Sequence, residues 1–146
     1  MDGGDRVKLE AFQIEDLPDG ECQVRVELSW GDGDRFVGTS TGPSSDDGSC
    51  LSAARATIQA LETAAEGSVA FDLEGVKAIE AFNTTVVIAF LICHSDRQNL
   101  PFLGACLVKD EHISRYAALA VLKATNRLSS VFDEFPGLAA DRSEGA

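Results

Sequence analysis

The chain has 146 residues and a net charge of −12, with 45% hydrophobic and 25% charged residues. That length and composition are those of one ordinary globular domain. The charge repels phosphate backbones, so nucleic-acid binding would need a local basic patch, and along the sequence the 12 Lys and Arg are scattered singly.

The longest apolar run, 86–93, is eight residues, against about 20 for a membrane-crossing helix. The opening MDGGDRVKLE has no apolar core of a secretory signal. Cys22, Cys50, Cys93 and Cys106 form no C-x-x-C pair. These features lead to the expectation of a cytoplasmic protein with reduced, largely buried thiols, without membrane or nucleic-acid partners.

In chain order, residues 1–6 read as a loose end and 7–14 (VKLEAFQI) as a strand. EDLPDGE, 15–21, carries Pro and Asp-Gly turn signals. Residues 22–30 (CQVRVELSW) alternate strictly, with Cys22, Val24, Val26, Leu28 and Trp30 on one face and Gln23, Arg25, Glu27 and Ser29 on the other. GDGD, 31–34, predicts a tight turn and a hairpin return over 35–41. After the polar loop 42–49, apolar residues at helical spacing (Leu51, Ala54, Ile58, Leu61, Ala65) predict a helix over 51–65, capped by Gly67.

The second half repeats this order. Residues 71–82 contain a strand with an interruption expected at Gly75, and Asn83 and Thr84 form a short connection. TVVIAFLIC, 85–93, is apolar on both faces and predicts a strand needing cover on both sides. A turn over 94–101 leads to a strand over 102–108. KDE then turns into a helix over 113–132, with Ile113, Ala117, Val121, Ala124 and Leu128 inward and Ala120 and Val131 on the flanks.

Phe36-Val37-Gly38 matches Phe102-Leu103-Gly104, and Ala54, Ala56, Ile58 and Ala60 match Ala118, Ala120, Leu122 and Ala124. Glu10-Ala11-Phe12 is aligned with Glu80-Ala81-Phe82, which makes EDLPDG an insertion in the first half. The expected fold class is α+β: two βββα repeats, antiparallel sheets packed with two amphipathic helices. It forms a single domain over 1–146, with repeats at about 7–66 and 71–132 and a frayed tail over 133–146. One helix layer leaves a sheet face bare, so a second layer must come from the other repeat or another chain, and a homodimer is expected.

The stretch LGACLVKDEHISRYAALAVLKATNRL, 103–128, with its glycine in the third strand and its alanine-rich helix reaching Asn126-Arg127-Leu128, resembles the C-terminal regulatory (dimer) domain of the α-isopropylmalate synthase family. The first unit, FVGTSTG followed by AARATIQALE, resembles the family's other repeat. The turn KDEHISRYA keeps the family's Asp110 and Ile113 but not the rest of its pattern, and the family's catalytic barrel is not in this sequence. The resemblance implies a free-standing distant relative with the family's fold and dimer habit, regulatory rather than catalytic.

Chemistry-bearing residues are sparse. His94 and His112 sit in polar turns without metal-ligand spacing. Cys50 stands at a helix start without an identified base. GDGD and SSDDGS fall short of a calcium loop, and no phosphate-loop glycine pattern occurs. Lys109 and Asp110 beside a helix start are placed to meet a small anionic or zwitterionic ligand, although Asp110 also suits a helix cap. The ligand-binding expectation falls on Thr39, Ser40, Thr41, Lys109, Asp110 and Ile113, with no catalytic residue, metal or cofactor. The first functional reading is a non-catalytic regulatory or assembly module. A sensor for an amino-acid-like small molecule is the second, and an enzyme of unrecognised type the third.

Overall fold

The computed structural model describes residues 7–30, 33–66, 69–94 and 99–134. It contains two βββα units: β1 (Val7–Leu17), β2 (Glu21–Trp30), β3 (Asp34–Pro43) and α1 (Asp46–Ala64), then β4 (Ala70–Ala81), β5 (Thr84–His94), β6 (Asn99–Leu107) and α2 (Ile113–Glu134). Each unit has one antiparallel sheet in sequence order, β1-β2-β3 and β4-β5-β6. The expected α+β class with two βββα repeats is the observed one. The expected loose end over 1–6, the Gly67 cap and most of the expected tail lie outside the described residues.

The sequence sets the registers. The alternation of CQVRVELSW buries Cys22, Val24, Val26 and Leu28, and the equivalent strand buries Val87, Ala89, Leu91 and Cys93. Both first strands carry a register shift, between Leu9 and Ala11 and between Leu73 and Gly75. The interruption expected at Gly75 is therefore a bulge, where one extra residue bends an otherwise continuous strand. The two bulges make Glu10 the counterpart of Glu74, which corrects its alignment with Glu80. With that correction the inserted EDLPDG shrinks to a single residue: Glu15, Asp16 and Leu17 continue β1 and pair with Gln23, Cys22 and Glu21, leaving a connection over 18–20 where the second unit has Phe82 and Asn83. The β4–β5 connection likewise shifts one residue back, to Phe82 and Asn83, both at positive φ.

Helix α1 begins at Asp46, five residues ahead of its expected start, because the polar loop supplies the cap. The Ser45 hydroxyl accepts from the Gly48 amide at 3.1 Å, and Asp46 and Asp47 place negative charge on the first turn. Apolar spacing misses that first turn since its residues are polar.

Each helix touches both sheets. Helix α1 packs on β2 and β3 of its own unit and on β4 of the other; α2 packs on β5, β6 and β1; and the helices pack on each other. The two helices thus form a central layer between two outer sheets. That placement explains their alanines. A helix enclosed on several sides is buried around most of its circumference, beyond a single stripe. Along α1, Ala53, Ala54, Ala56, Thr57, Ala60 and Leu61 are all buried, and along α2 so are Ala117, Ala118, Ala120, Val121, Leu122 and Ala124. Of the other positions expected to face inward, Leu51, Ala65 and Ile113 are half-buried. Leu128 and Val131 belong to the end of α2, which is described by its backbone alone.

Closest approach occurs where a glycine in the third strand meets the helix. A Cβ on Gly38 would strike the Ala56 carbonyl and sit 2.9 Å from the Ala60 nitrogen. A Cβ on Gly104 would strike the Ala120 carbonyl and sit 2.6 Å from the Ala124 nitrogen. Ala56 and Ala60 correspond to Ala120 and Ala124 at a constant offset of 64, so the repeat is structural as well as sequential.

Candidate functional site

The two outer faces differ although the units share a backbone plan. On the first sheet this face is polar. Arg35 pairs with Glu27 at 2.8 Å and approaches Glu10 at 3.9 Å, and the Ser29 hydroxyl donates to Glu10 at 2.6 Å. On the second sheet the same face carries Val86, Ile88, Phe90 and Ile92 from β5. Registered beside them are Leu107, Ala105, Leu103 and Pro101 from β6, and Ile79 from β4. Phe90 is 39% exposed, Ile79 40%, Leu103 50% and Leu107 51%. The both-sided apolarity of TVVIAFLIC thus meets the helices on one side only, and no described residue covers its second side.

A groove of about 940 Å³ runs between β1, α2 and β6. Its floor includes Val7, Leu9, Leu119 and Leu122, with Tyr116 and Asn126 among the polar lining. Four cations border it: Lys8, Lys109, Arg115 and Lys123. All four are exposed, and none pairs with a carboxylate of another described residue. The scatter of basic residues along the sequence therefore conceals a local gathering: a strand, a loop and one face of a helix bring them together.

Of the six expected ligand residues, only Lys109 lines this groove. Asp110 borders it indirectly, through the Tyr116 hydroxyl, which donates to its carboxylate at 3.1 Å. Asp110 also accepts from the His112 amide at 2.9 Å, two residues along, and so stabilises the turn ahead of α2. That backbone hydrogen bond, together with the one from Tyr116, holds the Asp110 carboxyl below its ordinary range. Ile113 opens α2 half-buried against the core. Thr39, Ser40 and Thr41 lie on β3 in the first unit, and the Thr39 amide donates to Gln59 at 2.8 Å.

Cys50, Cys22 and His94 each sit in a defined environment. Cys50 is buried, and burial, with Asp46 and Asp47 nearby, pushes its thiol up to about 11. Near neutral pH that is a protonated thiol, the opposite of an activated nucleophile. Cys22 is raised in the same way, by burial first and then by Asp16 and Glu21. His94, at the end of β5, is held through both ring nitrogens, by Asn99 at 2.7 Å and Asp72 at 2.6 Å. Those two hydrogen bonds raise its pKa.

Neither the protein-family models nor the curated proteins contain a match to this chain.

Proposed function

We propose that the protein is a non-catalytic assembly module whose homodimer forms through the outer face of the second sheet, in a regulatory role akin to that of the α-isopropylmalate synthase regulatory domain it resembles. The observation that carries this reading is the contrast between the two outer faces. At matched positions, Arg25 and Glu27 on β2 face solvent where β5 has Ile88 and Phe90, and Val37 and Thr39 on β3 stand where β6 has Leu103 and Ala105. The first sheet supplies an internal reference for a solvated face, and the second departs from it most along β5 and β6, while β4 keeps Asp72 and Lys77 on that face.

A second copy fits this surface in size and chemistry. Three strands of about ten residues present roughly 14 by 33 Å, or about 500 Å². Two such faces together bury about 1,000 Å², the lower bound of a specific interface. An apolar patch of this size is at the upper end of what monomers expose, and such patches are often functional. Face-to-face sheet packing also keeps the acidic remainder of each protomer in water, which matters for a chain of charge −12.

Light scattering after size exclusion tests the reading. Wild type should run with the mass of two 15.5 kDa chains, and Phe90→Glu or Leu103→Glu with the mass of one. Val37→Glu, on the polar sheet, should remain dimeric. Added salt should tighten association, because it screens repulsion between acidic protomers without weakening apolar contact. A monomeric wild type at micromolar concentration, or dimeric Phe90→Glu and Leu103→Glu variants, would overturn it.

A further inference from the structure

The groove between β1, α2 and β6 has an internal reference too. At the offset of 64 that relates the helices and the first strands, Lys8 corresponds to Asp72, Arg115 to Leu51 and Lys123 to Gln59. The equivalent positions on β4 and α1 therefore have an acid, a leucine and an amide where β1 and α2 have three cations. The roles differ as well. Gln59 accepts from the Thr39 amide at 2.8 Å and so ties α1 to its edge strand. Lysine has only donors and cannot accept that bond, so Lys123 leaves the corresponding place open.

From this asymmetry we infer that the groove binds a small organic anion, with an apolar body lying on Leu9, Leu119 and Leu122 and its carboxylate, phosphate or sulfonate group held among Lys8, Lys109, Arg115 and Lys123. Three observations converge. The volume is that of a small-molecule site. Four cations gather without carboxylate partners among the described residues, in a chain where acids outnumber bases 24 to 12. The floor is apolar, which selects an amphiphilic anion over a fully hydrated one. Asp110 is a nearby acid, held in the turn ahead of α2 by hydrogen bonds from His112 and Tyr116, and Arg115 acts on it electrostatically, short of an ion pair. Arginine supplies a planar fork for an oxyanion, and the lysines supply point charges around it.

The test is a ¹⁵N–¹H correlation titration of the full chain with three probes: naphthalene-2-sulfonate, neutral naphthalene-2-methanol and inorganic pyrophosphate. The sulfonate should give saturable shifts at Leu9, Tyr116 and Lys123 and bind about tenfold tighter than the neutral alcohol. Arg115→Gln/Lys123→Gln should weaken it about tenfold, and so should Lys8→Gln/Lys109→Gln, which alters the strand and loop while leaving the helix intact. Thermal melts establish that both variants fold. Equal affinity for sulfonate and alcohol, unchanged affinity in both variants, shifts confined to Phe90 and Leu103, or saturable binding of pyrophosphate alone would each overturn the inference. Light scattering reads the dimer separately, so failure of either proposal is distinguishable from failure of the other.

Discussion

Asn126 clamps the backbone of Val7 across 119 positions of sequence: its Oδ1 accepts from the Val7 amide at 3.3 Å, and its Nδ2 donates to the Val7 carbonyl at 3.4 Å. In the other unit, Glu62 accepts from the Phe71 amide at 2.8 Å. Val7 and Phe71 are equivalent, as are Glu62 and Asn126, so each helix reaches across to hold the first strand of the opposite unit. Asn126→Ala should cost about 1 kcal/mol in urea unfolding. Hydrogen exchange at the Val7 amide should rise with it, while exchange at Phe71 stays unchanged. Equal acceleration at both amides would mean that the clamp acts globally.

Gly104→Ala should be more costly than its single methyl group suggests. The added carbon meets the Ala120 carbonyl and the Ala124 nitrogen, both backbone, so relief requires moving a strand off a helix. Overpacking of this kind costs about 1–3 kcal/mol. Gly38→Ala should behave alike, for its added carbon meets Ala56 and Ala60 in the same way. The measurement is the unfolding midpoint in urea, and a pair of variants as stable as wild type would contradict the packing described.

The β4–β5 hairpin turns through Phe82 and Asn83 at φ of 57° and 59°, a conformation that suits asparagine and glycine. Phe82 is 96% exposed and draws no compensation from burial. Replacing Phe82-Asn83 with Asn-Gly should stabilise the protein by about 0.5–1 kcal/mol, read as a higher melting temperature. An unchanged or lower melting temperature would show that the aromatic side chain contributes to the fold.

His94 gives the stability a pH dependence of definite sign. Asn99 and Asp72 raise its folded pKa above the ordinary 6.5. A group whose pKa rises on folding stabilises fully below its unfolded value, and that contribution fades as pH climbs through the raised folded value. The stability difference between wild type and His94→Gln should therefore be largest below pH 6.5 and shrink above it. Chemical denaturation across that range measures it, and a difference that grows with pH would contradict the assignment.

Much of this structure was legible in the sequence, because strand alternation reports faces directly. CQVRVELSW shows one wet face and one dry face, and TVVIAFLIC shows two apolar ones, of which the helices cover one. The matched glycines and alanines also foretold the equivalence of the helices. Two things were hidden for physical reasons. The alignment of Glu10 with Glu80 failed because a bulge shifts register without leaving a composition signal; the bulges at Glu10 and Glu74 restore it. The basic groove was invisible because Lys8 is about a hundred residues from Lys109, Arg115 and Lys123, and only the seating of β1 against α2 gathers them.

Because each helix holds the first strand of the other unit, neither half can satisfy itself. A chain cleaved between residues 66 and 69 would yield two fragments, each with a helix bared on one side and a strand lacking its clamp. Mixed, they should complement one another without a covalent link. A single βββα piece would find the same completion in a twin of itself, so the present chain is organised as two similar halves, each completing the other.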